Sequence, residues 1–484
     1  MTGILAQVAE APPALLPARN QMALSLGWHI IMACFGMTFP AMIFVLHRRG
    51  LHRDGRKGDE DSLELAKRWS KAAGVLFAIG AVSGTVLSFE LGLLWPGLMS
   101  AFGDVVGLAF ALEGISFFVE AIFLGIYVYG WGRLPGRMHS LMLIPIMAAG
   151  VTGSFLVVSV NGWMNAPTGF RLVEGAGLEG QGLAGNVVDV DPIGAIFNSA
   201  AGLQFLHMYL AAVMVVGYSV AAIYATGWLR GRRDRIHRLG IVVPLVFAAA
   251  VTPLQPVVGH FAGQRLADEQ PIKLAAMEGL AETTEGARLE IGGIWDGEKL
   301  VGAIEIPIDG LLSFVATNDF DATVIGLDAV PEEDRPPVGV VHIAFQTMVA
   351  IGSALVGLVA WAGWLWWRNR RSGSDEPWFD SPWFLRALVA AGPAAVIAME
   401  TGWVTTEVGR QPWIVNGILR TEDAVTDAGY IWISLAIVVV VYAGMTVGAI
   451  TVLRSMSKRW REGERDLESP YGPPSAPTKT AVGT

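Results

Sequence analysis

The stretch Glu400–Trp413, ETGWVTTEVGRQPW, departs furthest from the composition of a lipid-buried segment. It closes a long apolar run with two carboxylates, two tryptophans and an arginine. Glu400, Trp403 and Glu407 follow one another at steps of three and four, so a continuous helix places all three on one face. The GRQPW that follows predicts the end of this helix, because glycine and proline both interrupt helices. That face must contact something other than lipid.

The composition of the chain excludes a water-soluble globular protein. Its 484 residues are 53% hydrophobic and 16% charged, with a mean hydropathy of +0.48. The single cysteine, Cys34, rules out a disulfide within the chain and a cysteine metal cluster. No basic segment or small-residue cleavage site precedes the first apolar run, so we expect no cleaved signal peptide.

Nine segments are long and apolar enough to cross a bilayer, which takes about 20 helical residues each. We therefore predict an all-α integral membrane protein with nine transmembrane helices, near 21–46, 72–94, 103–130, 138–160, 197–227, 239–261, 338–367, 383–407 and 429–453. Lysine and arginine concentrate after the odd-numbered spans and in the tail. This distribution predicts an outer N-terminus and a cytoplasmic C-terminus.

The predicted organisation follows from these spans. Residues 1–261 hold spans one to six, 262–337 form an extracytoplasmic loop, 338–455 hold spans seven to nine, and 456–484 form a disordered cytoplasmic tail. The loop carries sixteen acidic and five basic residues, and loops of this length are typically functional or partly disordered. A second outer connection contains GAGLEGQGLAGN at 175–186, which lacks the context of a phosphate-binding loop and indicates a flexible linker.

Several polar or metal-ligating side chains lie at a similar depth inside the predicted spans. A charged group in a bilayer costs a few kcal/mol, so each is a candidate site residue. Counted from the outer end of each span at about 1.5 Å per residue, all fall within roughly the outer 15 Å of the membrane. They are His29, Glu90, Glu113, His207, Met348 and Glu407.

Histidine and methionine at one depth suggest a haem, because a His-Met pair is a common axial ligand set. His207 and Met348 would form such a pair across the fifth and seventh spans. Each also has an ordinary explanation, Met348 as one of 17 methionines that pack in the interior and His207 as a hydrogen-bonded interior histidine. His260 and His342 are weaker ligand candidates. We expect no ligand role for the remaining histidines of inner connections and membrane surfaces, His47, His52, His139 and His237.

Two carboxylates share one face of the third span. Glu113 and Glu120 are seven residues apart, or about 10 Å along a helix axis. Buried carboxylates have raised pKa values and can exchange protons near neutral pH, so the pair suits a proton path. The alternative is a pair hydrogen-bonded to neighbouring helices. Trp163, like most of the 17 tryptophans, fits the interfacial belt.

Several motifs between about residues 19 and 451 together resemble subunit I of the cytochrome bd-type quinol oxidases. The most specific are GWxxxE followed by GRQPW, and QPIKLAAMEG at 270–279, which is similar to the quinol-binding loop of that family. GWH in the first span, ALEGxxFFxEAxFLG in the third, NGWMNxP and QFLH support the resemblance.

The resemblance implies three haems. His207 and Met348 match the axial ligands of a low-spin haem b. His29 and Glu407 match the ligands of two high-spin haems, one haem b and the other haem d or a further haem b in its place, with Glu113 beside them.

Further matches concern the surroundings of the haems and the substrate. Trp403 and Arg410 match residues around the haem cluster, where a guanidinium can pair with a propionate. Lys273 and Glu278 match loop residues implicated in quinol binding and oxidation. Glu400 matches no role, and we expect it to be buried and hydrogen-bonded.

The implied activity is that of the haem-bearing subunit of a quinol:oxygen oxidoreductase in the bacterial plasma membrane. Quinol is oxidised at the outer face and dioxygen is reduced to water with protons from the inside, Glu120 and Glu113 being late carriers, so charge is separated across the membrane. Implied partners are subunit II, with small single-helix subunits as further candidates, and membrane lipid; no nucleic acid is implied.

Two features depart from the better-known members of the family. Gln346 replaces an arginine near the low-spin haem, and the Glu113–Glu120 spacing is one residue shorter. With the short outer loop, both resemble the cyanide-insensitive branch, some members of which lack the spectral signature of haem d.

Two other functional classes fit parts of the pattern. A haem-free, proton-coupled secondary transporter would use the buried carboxylates as ion sites, but the sequence has no inverted repeat. A b-type electron-transfer subunit that does not react with oxygen would need only His207 and Met348. It would leave His29, Glu407 and Arg410 without a role.

Overall fold

The computed structural model describes residues 12–51, 58–173, 183 and 185–462. Within these ranges nine helices are long and apolar enough to cross a membrane, which confirms the predicted number and the all-α class. We label them in chain order: α1 Leu15–Gly50, α2 Glu60–Leu94, α3 Pro96–Tyr129, α4 Gly136–Asn165, α5 Ala201–Leu229, α6 Arg235–Glu269, α7 Val338–Ser372, α8 Pro382–Val408 and α9 Ile431–Arg461.

Two predicted segments lie wholly or largely outside the described residues. The C-terminal tail from 463 onward is one, although the start of the predicted tail, to Arg461, belongs to α9. The other is the glycine-rich run, of which only 183, 185 and 186 are described.

Helix bounds differ from the predicted spans where a capping residue starts a helix or a proline interrupts it. α2 begins at Glu60, twelve residues before the predicted start, because Asp59 caps it by accepting a hydrogen bond from the backbone of Ser62. α6 consists of Arg235–Val251 and Leu254–Glu269, interrupted next to Pro253. Its second part extends eight residues beyond the predicted end.

The bundle is built from pairs of neighbouring helices. α1 packs along α2, α3 along α4, α7 along α8, and α5 lies between α6 and α8. The largest hydrophobic cluster includes Met42, Leu65, Tyr218 and Leu388, from four of these helices. α9 contacts mainly α1 and α2, and most of its apolar side chains are exposed, as expected for a surface that faces lipid or another chain.

Trp163 corrects a sequence expectation. It is 1% exposed, donates from Nε1 to the carbonyl of Thr168 at 2.8 Å and packs against Phe102 and Phe170. Trp163 therefore belongs to a second hydrophobic core, and the interfacial prediction for this residue was wrong.

The connection between α6 and α7 is folded. It contains helices Pro271–Glu278 and Leu311–Thr317 and three antiparallel strand pairs, Thr284–Glu285 with Thr323–Val324, Glu290–Ile291 with Ile304–Glu305, and Ile294–Trp295 with Leu300–Val301. Gly279 ends the first helix with a φ of 71°, a conformation that favours glycine. Met277 packs with Val338 and Val341 of α7, so this short helix is fixed to the bundle.

α8 ends at Val408, directly before the GRQPW sequence, as predicted. The chain then passes through a cis Gln411–Pro412 bond into a hairpin of Trp413–Val415 and Leu419–Arg420. The Gln411 side-chain oxygen accepts hydrogen bonds from Arg19 of α1 at 2.8 Å and from Thr421 at 2.9 Å. These bonds fix the segment that carries Arg410.

Candidate functional site

Glu407 and Arg410 form an ion pair at the end of α8. Arg410 donates from one guanidinium nitrogen to Glu407 Oε2 at 2.6 Å and from the other to the carbonyl of Ile414. Arg410 is 4% exposed, and its Nε is buried without a hydrogen-bond partner. The guanidinium therefore holds the carboxylate while one of its N–H groups stays available to an acceptor such as a propionate.

Two asparagines join this ion pair to the loop helix Pro271–Glu278. Asn161 donates from Nδ2 to Glu407 Oε1, and Asn165 donates from Nδ2 to the Asn161 backbone carbonyl at 2.8 Å and to Asn161 Oδ1 at 3.2 Å. Lys273 donates from Nζ to Asn165 Oδ1. Polar side chains thus run without interruption from Lys273 to Arg410.

The sequence prediction missed both asparagines as functional residues. Their signal was present in NGWMN, where Asn161 and Asn165 lie four residues apart and hence on one helix face. The partners of the two asparagines, Glu407 and Lys273, lie far away along the chain, so the motif alone does not indicate these contacts.

Lys273 and Glu278 lie on the same short helix, and both are perturbed by burial. Burial and, to a smaller extent, the nearby Arg410 lower the pKa of Lys273 to about 7, whereas Glu407 opposes the change. Burial also raises the pKa of Glu278 to about 7, and its Oε2 is buried without a hydrogen-bond partner. Both groups can therefore exchange protons near neutral pH.

His207 and Met348 each face a glycine of a neighbouring helix. A Cβ atom at Gly259 of α6 would lie 3.2 Å from His207 Cε1, and one at Gly402 of α8 would lie 3.0 Å from Met348 Sδ. His207 Nδ1 is buried without a hydrogen-bond partner, while Nε2 lies 3.1 Å from the Gln255 amide nitrogen. A free imidazole nitrogen, a thioether and space kept open by glycine fit a His-Met haem site.

His29 is oriented by α2. Its Nδ1 hydrogen-bonds to Ser83 Oγ at 2.8 Å, and Gly84 lies against the ring, where a Cβ would be 3.0 Å from Cε1. A hydrogen bond at one ring nitrogen fixes the ring and leaves the other nitrogen for a metal. This environment fits the predicted iron ligand.

The two carboxylates of α3 face different helices. A Cβ atom added to Gly36 of α1 would lie 3.2 Å from Glu120 Oε1, and one added to Gly153 of α4 would lie 4.0 Å from Glu113 Cγ.

Trp403, on α8, packs against the main hydrophobic core.

Glu400 differs from its expectation. Its Oε2 lies 3.1 Å from the Cβ position of Gly27, but its Oε1 is buried without a hydrogen-bond partner. The expectation of a hydrogen-bonded Glu400 was wrong at Oε1, because α1 presents a glycine here and none of the described residues donates to this oxygen.

His342 serves a structural purpose. It is fully buried, and its two ring nitrogens lie 2.8 and 2.9 Å from the carbonyl oxygens of Met277 and Gly292. Both nitrogens are occupied, so His342 ties the loop to α7 and is not free to bind iron. Gln346, one turn further along α7, accepts from the backbone of Gly292 at 3.4 Å.

This chain is similar to known proteins over most of its length. The family model for cytochrome bd terminal oxidase subunit I matches residues 17–460. A Bacillus subtilis (strain 168) protein whose name assigns it as a cytochrome bd menaquinol oxidase subunit I is 35% identical over 91% of this chain and 95% of its own length. The cytochrome bd ubiquinol oxidase subunit 1 of the same organism is 27% identical over 93% of this chain and 95% of its own.

A solved structure is similar over nearly the whole chain. The bd oxidase from Geobacillus thermodenitrificans matches with a TM-score of 0.82 and 34% identity, and the match covers 93% of this chain and 99% of that chain.

Proposed function

Because this chain belongs to the cytochrome bd terminal oxidase subunit I family, and is therefore the catalytic subunit of a quinol oxidase, we propose a role for each part of its site. Quinol binds next to the loop helix Pro271–Glu278. Haem iron is held by side chains of α1, α5, α7 and α8, namely His29, His207, Met348 and Glu407.

Lys273 and Glu278 bind the quinol and receive its protons. Both have a pKa of about 7, so neutral lysine and carboxylate forms that can accept a hydroxyl proton are populated near neutral pH. Asn165 holds the Lys273 amine in place. Oxidation of the quinol then leaves its protons on the side of the membrane that carries this loop.

His207 and Met348 hold a low-spin haem b, and His29 and Glu407 hold two high-spin haems, one haem b and the other haem d or a further haem b. When bound, these haems supply the iron that carries electrons from quinol and reduces dioxygen to water. Arg410 compensates the charge of Glu407 and can pair with a propionate, and Trp403 packs beside the cluster.

Glu120 and Glu113 deliver the protons that dioxygen reduction consumes. The connections after the odd-numbered spans carry most of the basic residues, which supports an outer N-terminus and a cytoplasmic C-terminus. Quinol protons are released outside and oxygen protons are taken from inside, so the reaction separates charge without pumping. We further propose that this multi-pass protein lies in the bacterial plasma membrane, with subunit II and small single-helix subunits as its partners.

The observation that carries this proposal is the chain of hydrogen bonds from Lys273 through Asn165 and Asn161 to Glu407 and Arg410. It connects residues that the family resemblance assigns to two different tasks, quinol oxidation and iron binding. A secondary transporter has no need of either.

The test is haem quantification per chain in the purified complex, together with quinol-dependent oxygen consumption. We expect three haems and a rate that requires both quinol and oxygen. One haem and no oxygen consumption would support the electron-transfer relay, and no haem at all would support the transporter.

A further inference from the structure

The carboxylate face of α3 continues to the far end of the helix. Glu113, Glu120 and Tyr127 are spaced by seven residues, so all three lie on one face, about 10 Å apart along the axis. Helical side chains point towards the helix N-terminus, so the Tyr127 side chain is directed along this face towards Glu120. Tyr127 is fully buried, at the end of the bundle opposite the loop that carries Lys273.

A buried histidine meets Tyr127 at this end. His47, near the end of α1, is 1% exposed, and its Nδ1 lies 2.8 Å from the Tyr127 hydroxyl. The same helix lies against Glu120, at Gly36. α1 and α3 therefore carry an imidazole, a phenol and a carboxylate in order from this end towards the middle of the bundle.

The groups around His47 leave one ring nitrogen for proton uptake. His139, in the first part of α4, packs edge-on at 5.0 Å between ring centroids, and its Nε2 bonds to the carbonyl of Tyr127 at 2.7 Å. Trp131 stacks on His47 at 4.9 Å, and Lys67 of α2 lies 5.9 Å from the Trp131 ring. Arg48 is the next residue of α1. Among the described residues the His47 ring makes no hydrogen bond other than the one to Tyr127.

We propose that His47 and Tyr127 form the inner part of the proton path that supplies Glu120 and Glu113. This proposal rests on the proposed function, because it assigns a source to protons that the oxidase consumes. It gives a role to His47, for which the sequence predicted no ligand role, and to Tyr127, which the sequence analysis did not single out.

The transfer conserves protons at every step. A proton from the inner solution binds His47 Nε2, and the Nδ1 proton passes to the Tyr127 oxygen. The Tyr127 hydroxyl gives its own proton towards Glu120, with water crossing the remaining distance. Rotation of the hydroxyl and exchange of the imidazole tautomer restore the starting state. No bond other than O–H and N–H bonds changes.

The test uses a matched pair of substitutions in the complete oxidase. Tyr127→Phe removes only the buried hydroxyl, and Tyr129→Phe makes the same change two residues away, where the ring is 45% exposed. We expect Y127F to lower kcat for quinol-dependent oxygen consumption several-fold, with unchanged KM for quinol and unchanged haem content. Y129F should behave as wild type.

A second readout separates proton delivery from packing. Proton uptake by the oxidase in liposomes should slow in Y127F in parallel with kcat, and the kinetic solvent isotope effect should rise, because proton transfer becomes rate-limiting. His47→Gln, which keeps a polar side chain but cannot be protonated, should show the same two changes. A purely structural role would lower haem content or thermal stability and leave the isotope effect unchanged.

The outcomes are distinguishable. If wild-type oxidase consumes oxygen with quinol while Y127F and Y129F give the same kcat and isotope effect, this proton path is wrong and the proposed function stands. If the wild type consumes no oxygen with quinol, the proposed function itself is overturned.

Discussion

Asn161, near the end of α4, donates a hydrogen bond to a carboxylate oxygen of Glu407, near the end of α8. The other oxygen of Glu407 is held by Arg410 at 2.6 Å. A carboxylate held at both oxygens keeps one orientation. Groups that orient a metal ligand in this way increase its affinity for the metal. The two donors come from different segments of the chain, so the geometry at Glu407 depends on how α4 and α8 pack.

Asn161→Ala should weaken binding of the haem that Glu407 holds. Removing a group that orients a metal ligand typically lowers metal affinity about 10- to 100-fold. We expect a reduced high-spin haem content per chain, measured after purification, with the low-spin signal retained. Asn369→Ala removes a surface donor to the Glu376 carbonyl and should leave all haems bound. Equal haem content in the two variants would contradict the role of Asn161.

His207→Ala and Met348→Leu should each abolish the low-spin haem b spectrum. Leucine keeps nearly the volume of methionine but offers no sulfur to iron. The reduced-minus-oxidised difference spectrum measures this directly. Met399→Leu changes a buried methionine of α8 that contacts Cys34, and should leave the spectrum unchanged. A normal spectrum in M348L would show that Met348 only packs.

Glu278→Gln should remove a pH-dependent step near pH 7 in quinol oxidation. Burial raises the pKa of Glu278 to about 7, so the carboxylate that can accept a quinol proton is formed as the pH rises through this value. Wild-type kcat/KM for quinol should therefore increase across that window, and the increase should be smaller in E278Q, where only Lys273 still titrates there. Glu298→Gln, in an exposed turn of the same loop, is the control.

The same titration affects stability with the opposite sign. The folded pKa of Glu278 lies above the unfolded value of about 4.3. Between these values the folded state keeps a proton that the unfolded state releases, so the wild type loses stability as the pH rises towards 7. The thermal midpoint of E278Q should fall less over this range. A parallel decline in both proteins would show that Glu278 titrates normally.

Asp59→Asn should destabilise the end of the bundle where α1, α2 and α6 meet. Asp59 accepts hydrogen bonds from Arg49 of α1 at 3.0 Å and from Arg235 of α6 at 2.7 Å, and its side chain is 13% exposed. Arg49 and Arg235 are more than half exposed, so each ion pair contributes about 0.2–1 kcal/mol, and D59N should lower the thermal midpoint slightly at neutral pH. Asp61→Asn, which loses only a 3.5 Å contact to Arg235, should have a smaller effect.

The contribution of Asp59 should vanish in acid. Burial raises the pKa of Asp59, but the hydrogen bonds from Arg235, Ser62 and Arg49 outweigh it and lower the pKa to about 2. The stabilisation is thus present above the unfolded value of about 3.9 and is lost as the pH falls towards 2. Wild type and D59N should converge over this range, and a constant difference would contradict the assignment.

The number of spans and the end of α8 at GRQPW were predictable from the sequence. Hydropathy and the helix-breaking properties of glycine and proline act over a few neighbouring residues, so they can be read along the chain. The candidate iron ligands and quinol residues came from short motifs and stay predictions. Orientation across the membrane also stays a prediction, supported by the basic connections.

Helix bounds were less predictable where capping acts before the apolar segment begins. Asp59 starts α2 well outside the hydrophobic run, and α6 continues past its apolar part to Glu269. A hydropathy pattern identifies the residues that lie in lipid. A helix can extend beyond them into water when its backbone hydrogen bonds are satisfied.

The sequence by itself determined the nine membrane-spanning helices found among the described residues and the polar end of α8, whose charged side chains lipid cannot solvate. Only the tertiary structure decided what Glu407 contacts. Asn161 is 246 residues from Glu407, and Asn165 is 108 residues from Lys273. Hydrogen bonds form between groups within about 3 Å, and such proximity between distant segments arises only when helices pack. For the same reason, only the folded chain shows three further features. Trp163 is buried, Glu400 Oε1 has no hydrogen-bond partner among the described residues, and His47 contacts Tyr127.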